Sequence, residues 1–307
     1  GFTVTNTSTA KVDVPVEKKW VGPAAGEVTV SLKRGDAVVG TMKLNAENGW
    51  KGTFSGLPKY DSQTGEQIAY AVAEEPVEGY DSAVEPDGRG GFTVTNTSTA
   101  KVDVPVEKKW VGPAAAKATV RLLAGGADSG RSLELSESNA WKASFEGLPK
   151  YDAKTGEEIA YTVAEDAVDG YDSAVTGSAQ SGFTVTNTST AKVDVPVEKK
   201  WVGPAAEKAV VRLLAGGVDS GKSLELSESN GWKGTFSGLP KYDASGAEIA
   251  YTVAEDEVAG YSSAISGDAQ GGFTVTNTST ATVDVPVEKK WVGPAAEKAV
   301  VRLLAFG

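Results

Sequence analysis

Period-two alternation of apolar and polar residues dominates this chain. In Phe2-Thr-Val4-Thr-Asn6, residues 2, 4 and 6 share one face. In Val12-Asp-Val14-Pro-Val16-Glu-Lys18-Lys-Trp20, the even positions do the same. Such alternation marks a half-buried β-strand. Each apolar face also carries one polar group at its end, Asn6 in the first run and Lys18 in the second. Both runs lie in a 25-residue stretch, GFTVTNTSTAKVDVPVEKKWVGPAA, found at 1–25, 91–115 and 182–206. A fourth copy at 272–296 differs only by Thr282 in place of lysine.

The repeat sets the domain organisation. Lys18, Lys108, Lys199 and Lys289 are equivalent, at spacings of 90, 91 and 90 residues. A unit of that size closes its own core, and the period is too long for a solenoid. The pattern predicts the last strand of a preceding repeat at 1–10 and complete repeats at 11–100, 101–191 and 192–281. The first strands of a truncated fourth repeat are expected at 282–307. Within the first repeat, alternation also marks Val28 to Leu32, Val38 to Leu44, Trp50 to Phe54 and Ile68 to Glu74. A short segment from Tyr80 to Val84 leads to the closing run at Phe92. Asn48-Gly49 reads as a tight hairpin between two of these strands. About seven short strands with turns between them, and no sustained helical period, predict an all-β sandwich repeated in tandem. The links are short, which predicts a stiff rod rather than a tether.

Composition narrows the chemistry. The formal charge is −11 and no basic block is present, which argues against nucleic acid and anionic membrane surfaces as partners. With no cysteine and no histidine, disulfides and the usual His-based acid–base and metal chemistry are excluded. No cofactor or metal is expected. No apolar run is long enough to insert into a membrane. The chain opens inside a repeat and is expected to be an excerpt of a longer protein, so the lack of a signal peptide carries little weight.

Each complete repeat places three polar residues at the ends of apolar faces, in the first repeat Lys18, Glu74 and Asn96. Alternation with Val16 and Trp20 selects Lys18 and turns Lys19 to water, a choice that a bulge at this point would reverse. Lysine and glutamate are rarely buried without a partner. If the three meet in the core, burial disfavours both charges, leaving a neutral amine and a protonated carboxyl. The amine can then attack the polarised side-chain carbonyl of the asparagine. The products are a Lys–Asn isopeptide bond and ammonia, with orientation and water exclusion supplying the rate. The plainer reading is a buried Lys–Glu ion pair hydrogen-bonded to asparagine with no covalent bond, an arrangement that often adds little net stability.

Five short motifs stand in a fixed order in each repeat. They are Lys18-Lys-Trp20, Asn48-Gly-Trp50, Leu57-Pro-Lys-Tyr-Asp61, Tyr70-Ala-Val-Ala-Glu74 and Phe92-Thr-Val-Thr-Asn96. Together they resemble the B-type (CnaB) repeat domains of Gram-positive surface adhesins. Tyr161 to Glu165 followed by Gly170-Tyr171 is similar to the E-box of Gram-positive pilins. The resemblance implies an inverse immunoglobulin-like sandwich with a self-formed Lys–Asn bond assisted by an acid. Carried over, the linked residues are Lys18 and Asn96, Lys108 and Asn187, and Lys199 and Asn277. The assisting acids are Glu74, Glu165 and Glu255. Asn6 and Lys289 are the unpaired equivalents.

Other features read as structural. Trp20, Trp50 and Phe54 sit on strand faces and suit a core better than a sugar platform. Asp61-Ser-Gln-Thr-Gly65 lacks an EF-hand spacing and reads as a turn. The function expected is a stalk of a cell-wall-anchored, extracellular adhesin of a Gram-positive bacterium, clamped against load and proteolysis. Its contacts would be with neighbouring repeats, and with host or matrix proteins through other domains. Two alternatives are the shaft of a sortase-assembled pilus and repeats that bind host or matrix ligands directly. An enzyme acting on outside substrates is not expected, because Lys–Glu–Asn chemistry turns over once and consumes its own residues.

Overall fold

The computed structural model describes residues 1–305. The chain divides into two compact units, Gly1–Ser189 and the part from Thr190 onward. The first unit holds two repeats and the second holds one.

The first repeat has seven strands: β1 (Lys11–Val21), β2 (Glu27–Arg34), β3 (Ala37–Asn45), β4 (Lys51–Pro58), β5 (Tyr70–Glu74), β6 (Tyr80–Pro86) and β7 (Phe92–Ser98). They form a four-stranded sheet in the order β4-β1-β7-β6 and a three-stranded sheet in the order β3-β2-β5. The first and last strands pair in parallel, with Lys18 opposite Val94 and Trp20 opposite Asn96. The other pairings in the repeat are antiparallel. Val14, Val16, Val28, Val30, Leu32, Leu44, Val72 and Val94 fill the space between the sheets. These are the alternating positions that the pattern assigned inward.

The second repeat repeats this plan with β8 (Lys101–Val111), β9 (Lys117–Ala124), β10 (Ala127–Ser136), β11 (Lys142–Pro149), β12 (Tyr161–Glu165), β13 (Tyr171–Ser178) and β14 (Gly182–Ser189). The third uses β15 (Lys192–Val202), β16 (Lys208–Ala215), β17 (Val218–Ser227), β18 (Lys233–Pro240), β19 (Tyr251–Glu255), β20 (Tyr261–Asp268) and β21 (Gly272–Ser279). Sheet orders and the parallel first–last pairing are the same in all three. The extra residue between the two tryptophans of the second repeat falls in β10, where the register slips between Asp128 and Ser132.

Two expectations are corrected. Asn48-Gly49 does not close a hairpin, because β3 and β4 belong to different sheets. The turn instead carries the chain across the sandwich. The Asn48 amide accepts from Asn45 N–H at 3.0 Å and donates to Lys43 C=O at 2.8 Å. Gly49 and Trp50 follow with φ of 62° each, so the left-handed pair reverses the chain without a ladder. In the later repeats a 3₁₀ turn stands here, at Glu137–Asn139 and Glu228–Asn230.

The second correction concerns the ends. Residues 1–10 and 282–305 form no strands and are exposed. Their sequence is that of β7, β1 and their copies. A strand needs ladder partners, however, and within this chain neither segment has the neighbours that its copies pair with.

Candidate functional site

In each repeat the lysine comes from the first strand, the asparagine from the last, and the glutamate from the facing sheet. Lys18, Lys108 and Lys199 are each 3% exposed, and Asn96, Asn187 and Asn277 are 0–1% exposed. Lys19 and Lys200 point to solvent, and the bulge in the β1–β4 ladder lies upstream, between Val12 and Val14. Alternation therefore picks the inward lysine. Gly56, at φ 68°, carries the extra residue of that bulge, and its N–H is taken by Asp13 at 2.7 Å.

The carboxylate is the hub of the cluster. Lys18 Nζ lies 3.3 Å from Glu74 Oε1, Lys108 Nζ 3.2 Å from Glu165 Oε1, and Lys199 Nζ 3.1 Å from Glu255 Oε1. In the third repeat Asn277 Nδ2 donates to the same Glu255 Oε1 at 3.3 Å. One oxygen there touches both the amine and the amide. In the first repeat Ser82 Oγ donates to Glu74 Oε2 at 2.7 Å.

The parallel register explains how lysine and asparagine reach one another. Asn96 lies two residues beyond the direct partner of Lys18. Two residues along a strand is about 6.6 Å, a span that a lysine side chain covers. The ammonium also donates to backbone carbonyls. Lys108 Nζ reaches Lys109 C=O at 3.3 Å and Val185 C=O at 3.4 Å, and Lys199 Nζ reaches Val275 C=O at 3.4 Å.

This environment disfavours charge. Burial holds all three lysines below the ordinary amine pKa, against the opposing pull of the neighbouring glutamate. The asparagines are short of partners. Both polar atoms of Asn96 and Asn187, and Oδ1 of Asn277, are buried without a hydrogen bond. Such groups normally cost about 1–3 kcal/mol each. The unpaired Oδ1 recurs in all three copies.

An aromatic wall closes the cluster. Trp20, Trp110 and Trp201 place their rings 4.2, 4.2 and 4.3 Å from the lysine Nζ atoms. Each ring is held edge-on by a second tryptophan, as in Trp20–Trp50 at 5.3 Å, and by a tyrosine, as in Trp20–Tyr80 at 5.0 Å. The pattern assigned Trp20 and Trp50 to the core but missed the contact with lysine. Its signal is the spacing Lys18-x-Trp20, which puts both side chains on one strand face. Ser82 was also missed. Its position opposite Asn96 in the β6–β7 ladder becomes visible only once the pairing is known.

Asn6 and Lys289 are exposed, and neither meets a triad. Lys289 Nζ contacts its neighbours Lys290 C=O and the ring of Trp291. Among the described residues no group of acidic, histidine or cysteine side chains is placed to hold a metal. No helix among them is long and apolar enough to cross a membrane.

Residues 14–97, 104–188 and 195–278 each match the Cna protein B-type domain family. The chain belongs to that family. It is 33% identical over 338 residues to a collagen adhesin of Staphylococcus aureus, across 100% of this chain and 28% of that protein. The chain thus spans little more than a quarter of this relative. A crystal structure of two B repeat units of the collagen binding protein of Staphylococcus aureus is similar at 31% identity and a TM-score of 0.38. It covers 88% of this chain and 74% of its own. A single B repeat unit from the same protein is similar at 31% identity and a TM-score of 0.28, covering 59% and 100%. The chain is thus a tandem array of B-type repeats.

Proposed function

We propose that each repeat closes a Lys–Asn isopeptide bond, joining Lys18 to Asn96, Lys108 to Asn187 and Lys199 to Asn277, with Glu74, Glu165 and Glu255 as the assisting acids. The observation that carries this reading is the buried cluster in the third repeat, where one Glu255 oxygen touches both the amine and the amide. A proton passes from the ammonium to the carboxylate, leaving a neutral pair. The amine attacks Cγ of the asparagine while the carboxyl donates to its carbonyl oxygen. The C–N bond to the original amide nitrogen then breaks. That nitrogen leaves as ammonia after taking the proton lost by Nζ, and the carboxyl is regenerated. The hydrophobic shell keeps water from competing for the carbonyl.

The mechanical role follows from which strands are joined. The first and last strands of a repeat are the points where tension enters from its neighbours. A bond between them sends the load past the rest of the domain. Without it, a repeat of this period could extend to about 300 Å. With it, the load-bearing segment between clamps is the stretch from Asn96 to Lys108, only about 40 Å long. The chain then serves as an inextensible spacer within an extracellular, cell-wall-anchored adhesin of a Gram-positive bacterium, presenting a binding domain away from the wall. Stretching single molecules tests this. Clamped repeats give no unfolding steps before the tether breaks, whereas three regular unfolding steps would exclude the load-bearing role.

A further inference from the structure

The Leu-Pro-Lys-Tyr-Asp motif ends β4, β11 and β18 and runs into the loop after each, and the triads make no use of it. In the second repeat it opens a loop held by its own hydrogen bonds. Asp152 Oδ1 accepts the N–H groups of Lys154 and Thr155 at 2.9 Å each, and Asp152 C=O accepts that of Gly156 at 2.8 Å. This loop lies against the first repeat at the exit of β1. A Cβ added at Gly22 would come within 3.1 Å of Tyr151 Cδ2, and one added at Gly156 within 3.3 Å of Trp20 O and 3.5 Å of Gly22 N. Ring meets backbone at one point, and backbone meets backbone at the other. Both glycines have positive φ, 104° and 75°, so the close approach and the chain path call for the same residue.

Tyr80 lies beside this contact. The hydroxyl of Tyr80 donates to Pro23 C=O, a bond within the repeat that Tyr261 also makes to Pro204. Its phenol is pushed above the ordinary value, by burial first and then by the nearby Tyr151. The third repeat supplies the contrast. A Cβ at Gly203 would meet only Ser279 among the described residues, and Val202 is 55% exposed where Val21 is half-buried.

We propose that the loop 151–156 is a docking element and residues 20–23 its receptor, so that a repeat recognises the one before it through a specific joint. The partner is a following repeat of the same sequence type, read by an aromatic ring on glycine. The joint lies one ring away from the clamp, since Trp20 covers Lys18. It goes beyond the covalent reading and does not depend on it.

Pulsed electron spin resonance tests the joint in the full chain. The protein has no cysteine, so Asp36→Cys and Glu137→Cys place one exposed label in each of the first two repeats. A narrow distance distribution is expected. Tyr151→Phe should keep it, because the contact uses ring carbons. Tyr151→Ala should broaden it toward that of a flexible link while the circular dichroism stays unchanged. A broad distribution in the parent chain, or no response to Tyr151→Ala, overturns the proposal. The readout needs no covalent bond. A fully bonded chain with a broad distribution sinks the joint alone, and an unbonded chain with a narrow one sinks only the clamp.

Discussion

Lys199 and Lys289 stand in the same local sequence, Val-Asp-Val-Pro-Val-Glu-Lys-Lys-Trp-Val, yet their surroundings are opposite. Around Lys199 the stretch is strand β15, and the amine is buried against Glu255. Around Lys289 it forms no strand, and the amine is exposed. The contact with the tryptophan two residues along, Trp201 or Trp291, is the same in both, at 4.3 and 4.1 Å. That contact is local and needs no fold. Burial, the carboxylate and the amide come from other strands, β19 and β21. The difference shows that the ten residues encode a lysine ready to be buried, while its chemistry belongs to the assembled sandwich.

Lys199→Met should have the largest effect. It leaves an apolar side chain of similar length and removes the nucleophile. Losing a tie across a loop of this size costs about 4 kcal/mol. Calorimetry should show one transition of three lowered by on the order of 20 °C. Glu255→Gln comes next. The repeat should fold, but bond formation slows by on the order of 10²–10⁴-fold. Time-resolved mass spectrometry would show its ammonia retained after the other two are lost.

A smaller effect sharpens the electrostatic side. In Asn277→Ala no bond can form, and Lys199 stays titratable with its folded pKa held below the ordinary value. Between that folded pKa and the ordinary lysine value, the unfolded chain binds a proton that the folded chain does not. Stability must therefore rise as pH climbs through this alkaline window and level off above it. The bonded repeat has no amine to titrate and lacks this slope. Denaturant melts of both proteins across the window would reveal it. The smallest effect belongs to Lys200→Ala, whose side chain is 57% exposed beside Glu198. Its stability should change by less than about 0.5 kcal/mol, and its mass deficit should equal that of the parent.

Much of this was legible along the chain. Strict alternation around Val14, Val16 and Lys18 leaves little freedom over which side chains face inward, and the structure buries all three. The closing strand with Val94 and Asn96 was equally plain. What alternation cannot encode is which strands pair. Asn48-Gly49 carries the local chemistry of a hairpin, but its flanking strands belong to opposite sheets. Residues 2–6 carry the pattern of a strand and form none, because a ladder is a property of two segments. The tryptophan over the lysine lay in view as spacing but was assigned to packing alone. Tyr151 against Gly22 was out of reach, since neither residue's own surroundings point to the other repeat.

The intact mass of the fully denatured chain reads the Lys–Asn bonds themselves. A deficit of one ammonia is expected for each of the three triads, with tandem spectra placing the links at Lys18–Asn96, Lys108–Asn187 and Lys199–Asn277. A folded protein with its full unmodified mass would contradict it, leaving three buried ion pairs in a noncovalent sandwich.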